Sequence, residues 1–171
     1  YRPDQLVDLR EIDAGNNLKE SPTTSLVSHL LRNIHGATGI MPKIAAYNPA
    51  QGGQSLPQLS PGSDGFRYVV EGLADMAKII RRDFGCRPVF LGMVYIGNEG
   101  MTEVLPEFYA GQFLSLRRRM DHVVANVIPD QVEPWMLYIN TVRTVSNNLP
   151  LEHRVVSAVE LAAAQHPGIC M

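Results

Sequence analysis

The chain has 171 residues, 45% of them apolar, and a formal net charge of −2. That length suits one domain with a full core, and the near-neutral charge gives no electrostatic reason to expect a nucleic acid or an anionic membrane as partner. No apolar run reaches membrane-spanning length, and the two cysteines, Cys86 and Cys170, belong to no CxxC or Cys/His cluster that would hold a metal.

Residues 1–21 are polar, with Leu6-Val7-Asp8-Leu9 as their best packing element. Ser21-Pro22-Thr23-Thr24 offers a hydroxyl cap and an early proline, so a helix starts there. Leu26, Leu30, Leu31 and Ile34 follow at helical spacing, and Gly36 is a fitting stop. Ile40 to Tyr47 is a short apolar run, broken by Pro42, that reads as a strand. Residues 48–65 are rich in Gly, Pro, Ser and Gln, too long for an idle connection, so a functional loop is expected. Ser63 or Asp64 caps a helix over about 66–84, striped by Val69, Leu73, Met76, Ala77 and Ile80 and ended by Gly85. Residues 88–96, Pro-Val-Phe-Leu-Gly-Met-Val-Tyr-Ile, are almost continuously apolar, as in a parallel strand covered on both faces. Pro106 opens a helix to about Val127 with Phe108, Phe113, Leu116, Met120 and Val123 inward. Residues 135–142 alternate as a third strand. Pro150 starts a last helix with Val155, Val156, Val159 and Ala163 as its stripe, and Ile169-Cys170-Met171 reads as the start of a strand.

Alternating strands and helices predict a single α/β domain over 1–171: a three-layer α/β/α sandwich around a mostly parallel sheet. Glycine-bearing loops leave two of the strands, at Gln51-Gly52-Gly53-Gln54-Ser55 and at Gly97-Asn98-Glu99-Gly100. Open α/β sheets place ligands at the carboxyl ends of their strands, so the two loops should lie at one edge and carry part of a site.

Those loops carry a resemblance. Gly52-Gly53-Gln54-Ser55-Leu56, followed by Leu59-Ser60-Pro61-Gly62-Ser63, resembles the second block of the SGNH hydrolases, in the carbohydrate-esterase branch of sialate and xylan acetylesterases and phage tail proteins. Val94-Tyr95-Ile96-Gly97-Asn98-Glu99 stands where that branch has a strand with tryptophan and a Gln-Gly-Glu turn. Tyr109 through Arg117-Arg118-Arg119-Met120 is similar to its long helix, and 162–169 to the segment before its last strand. Leu9-Arg10-Glu11 and Glu20-Ser21-Pro22 also have counterparts.

The resemblance implies a flavodoxin-like SGNH fold and ester hydrolysis by a serine, a histidine and an aspartate three residues before it. It implies an oxyanion hole in which Gly52 or Gly53 gives a main-chain N–H and Asn98 a side-chain amide; aligned on Trp-x-Gln-Gly-Glu instead, the amide position falls on Gly97. Gln54, Tyr95 and Glu99 would line the substrate. Gly53-Gln54-Ser55-Leu56 also spells the family's nucleophile motif, making Ser55 an alternative nucleophile. The residues ahead of it match the region between the first two blocks, which favours a loop hydroxyl. No cofactor and no metal are implied. The partner would be an acetylated polysaccharide or other glycan, the setting a virion tail or extracellular, and a homo-oligomer or larger assembly is compatible.

The family's first block and its Asp-x-x-His block are absent, and Asp121-His122, adjacent on a helix, do not replace the latter. Two readings follow: an interior stretch of a longer esterase, truncated at both ends, or a non-catalytic structural or glycan-binding module on the same scaffold. His29, His35, His122, His153 and His166 read as solvated or structural. Trp135 reads as core, with a sugar-stacking platform as the alternative, and Arg117-Arg118-Arg119 as a solvated helix face. The cysteines read as buried free thiols.

Overall fold

A computed structural model describes residues 22–49, 56–97, 105–141 and 152–171. In chain order these form α1 (Pro22–Thr38), a 3-10 turn (Leu56–Leu59), α2 (Asp64–Phe84), β1 (Gly92–Gly97), α3 (Pro106–Val127), β2 (Met136–Thr141), α4 (Glu152–Gln165) and β3 (Ile169–Cys170). The described residues form a mixed α/β structure with four helices and a parallel sheet ordered β1-β2-β3. Gly92 pairs with Met136 and Gly97 with Thr141, while Ile169 pairs with Leu137 and Cys170 with Tyr138. Each parallel pair is joined through a helix, as parallel strands require.

Local chemistry sets the helix ends. Ser63 caps α2, its Oγ accepting from the Phe66 N–H at 3.1 Å. At the other end Gly85 takes φ +59° and returns its N–H to the Arg81 carbonyl, a left-handed cap that glycine adopts without a Cβ penalty. Pro106 sits in the first turn of α3, where a missing N–H costs nothing. α1 runs two residues past Gly36 and stops before Gly39, at φ +70°.

The core lies between one face of the sheet and the helices. Tyr95, Leu137, Ile139 and Ile169 meet Tyr109, Phe113, Leu116 and Met120 of α3, and Ala158, Val159 and Ala162 of α4. Phe66, Val69 and Leu73 of α2 pack against its margin. The stripe of α3 holds at Phe113, Leu116, Met120 and Val123, but its first member is Tyr109, 1% exposed, rather than Phe108, 52% exposed.

Two strand expectations are corrected. Residues 40–47 form no strand. Pro42 lacks an N–H for a ladder, Ile40 and Met41 are exposed, and the segment packs instead along α2, with the Lys43 ammonium 4.6 Å from the Phe84 ring centre and the Tyr47 ring over Gly72. The second strand starts at Gly92 rather than Pro88. The Gln131 side chain takes the place of a neighbouring strand at Phe90, accepting its N–H at 2.7 Å and donating to its carbonyl at 2.9 Å. Nor is β1 covered on both faces among the described residues. Val94 and Ile96 are 42% and 46% exposed, as is Tyr138 beside them at 46%. Its apolar run therefore serves one helical layer, and a second layer is not part of the described structure.

Candidate functional site

The carboxyl ends of the strands are where a ligand site is expected. β1 ends there at Gly97, and the chain re-enters the described structure at Leu105, just ahead of α3. On the other side Leu56, directly after the Gly52–Ser55 segment, is 3% exposed and belongs to the same apolar cluster as Tyr95. The described flanks of both glycine-bearing segments thus meet in one cluster. Gly52, Gly53, Gln54, Ser55, Asn98 and Glu99 themselves lie outside the described residues.

Tyr95 is inside and is not a surface group. It is 6% exposed, with its ring 5.8 Å from Phe113 in an edge-on contact. Burial, with a contribution from the nearby Tyr109, pushes its phenol up to about 12. Tyr109 is 1% exposed; burial raises its phenol as well, and its hydroxyl has no hydrogen-bond partner among the described residues. Two phenols therefore lie in the buried cluster that holds Leu56. Neither acts as an acid or base near neutral pH, since each is held protonated; their chemistry is hydrogen bonding and packing.

The other polar cluster lies at the opposite edge. Arg117, read as part of a solvated run, is 6% exposed, and its guanidinium carbon sits 3.7 Å from the Trp135 ring centre. Its Nη1 donates to the carbonyls of Trp135 at 2.8 Å and Gly168 at 2.7 Å, and its Nε to Asp121 at 3.1 Å. Asp121 also accepts the Trp135 indole N–H at 2.9 Å. Gly168 is glycine because a Cβ there would meet Arg117 Nη1 at 1.9 Å. The cluster ties α3 to the entrances of β2 and β3 and engages one Asp121 oxygen and the Trp135 indole N–H beside a groove of about 190 Å³, lined also by Val124, Ile128, Gln131 and Glu133. Trp135 is 4% exposed, which removes it as a sugar platform. The sequence signal for the cluster was the Arg117/Asp121 spacing of four on a helix.

The remaining candidates separate. His29, His35 and His122 are exposed; His166 is half-buried, its Nδ1 accepting the Gly168 N–H at 3.0 Å. Arg118 is exposed, and Arg119 donates to Ser60 Oγ at 3.2 Å. Cys86 and Cys170 are free thiols, but Cys86 is exposed, because it follows the Gly85 cap out of the helix rather than entering the core. Among the described residues no group of three His, Cys, Asp or Glu side chains could hold a metal ion, and no helix is long and apolar enough to cross a membrane.

Comparison with models of known protein families, with curated protein sequences and with solved structures gave no match.

Proposed function

We propose that the chain belongs to an SGNH-type carbohydrate O-acetylesterase that strips acetyl groups from surface polysaccharide, on a phage tail or outside a cell. The catalytic serine and the Asp-x-x-His pair lie outside these 171 residues in this reading. One observation carries it beside the motifs. Leu56 and Tyr95, which flank the Gly52–Ser55 and Asn98–Glu99 segments, share one buried cluster at the end of a parallel strand, so both segments can serve one site. In the same reading a second helical layer covers Val94, Ile96 and Tyr138, completing a three-layer sandwich.

The chemistry is acyl transfer. A serine oxygen attacks the acetyl carbonyl as histidine takes its proton. The tetrahedral oxyanion receives the N–H of Gly52 or Gly53 and the Asn98 amide, donors fixed before charge develops. Collapse returns the proton to the departing sugar oxygen. Water then attacks the acetyl-serine as histidine takes its proton, the bond to the serine oxygen breaks, and acetate leaves as histidine returns the proton to serine. Gln54, Tyr95 and Glu99 belong to this site; the burial of Tyr95 restricts it to supporting the loops from beneath.

The test is acetate release from an acetylated polysaccharide by the longer encoded protein, alongside the 171-residue chain on an aryl acetate. Release by the first and none by the second is expected. Aryl acetate hydrolysis by the shorter chain that disappears in Ser55→Ala would make Ser55 the nucleophile. Glycan binding without acetate release would establish the non-catalytic module instead.

A further inference from the structure

We draw no further inference here: the strongest candidate, the apolar outer face of the sheet at Val94, Ile96 and Tyr138, carries nothing because nothing in the described structure shows what covers it.

Discussion

Replacing Arg117 by methionine keeps much of the side-chain volume and removes everything the guanidinium does. The carbonyl of Gly168 retains the Leu137 N–H, at 2.8 Å, but the buried carbonyl of Trp135 loses its Arg117 partner. An orphaned buried acceptor costs about 1–3 kcal/mol, and a hydrogen bond from a charged donor contributes about 1.5–3 kcal/mol. The stack on Trp135 adds on the order of 1–2 kcal/mol when desolvated. Against these stands the recovered cost of burying a cation, several kcal/mol. The exposed side of Asp121, 42% accessible, lets water replace the Nε contact, so that pair counts for little. The balance is a loss of about 3 kcal/mol, a large share of the roughly 5–15 kcal/mol available to a domain. Urea unfolding measures it, and Trp135, the single tryptophan of the chain, reports from beneath the guanidinium. Gly168→Ala should show a comparable loss, because its Cβ would occupy the Arg117 Nη1 position. An Arg117→Met chain within about 1 kcal/mol of wild type would refute the reasoning and make the cluster no better than the hydrophobic packing that replaced it.

Three further outcomes are expected. Arg87 holds the Glu133 carboxyl down to about 2, below its ordinary 4.5, chiefly by hydrogen bonding; a depressed carboxyl adds stability above its unfolded value and loses it as pH falls, so Glu133→Gln should flatten the stability curve between about pH 4.5 and 2 and change little in its slope above. Gly72→Ala would usually strengthen a helix by about 1 kcal/mol, but here the added Cβ would meet the Tyr47 ring at 2.1 Å; thermal unfolding should show a net loss, and a Tyr47→Ala background should restore the gain. On the proposed esterase reading, Asn98→Ala in an active enzyme that contains this chain should lower kcat by about a hundred- to a thousandfold with little change in melting temperature; an unchanged rate would take the side-chain amide out of the proposed oxyanion hole.

Local sequence determined most of the helices and two of the strands. The Ser63 and Gly85 caps, the Pro106 start and the alternation of residues 135–142 act over a few residues, so they are legible without neighbours. So was the strand beginning at Ile169, whose apolar character survives whatever lies beside it. The tertiary structure decided what depends on distant partners. Residues 40–47 are as apolar as a strand, but a strand needs a ladder, and α2 rather than β1 took up the side chains of Lys43 and Tyr47. Phe90 lost its place in the sheet to the amide of Gln131, 41 residues on. Arg117 turned inward because Trp135 and Gly168, far along the chain, offered a ring and two carbonyls. Of the candidate site, sequence supplied the two glycine-bearing segments and their order; only packing brought Leu56, Tyr95 and Tyr109 into one buried cluster. Spacing along a chain fixes what one helix or strand can do, whereas burial of a polar group is decided by what the rest of the chain places around it.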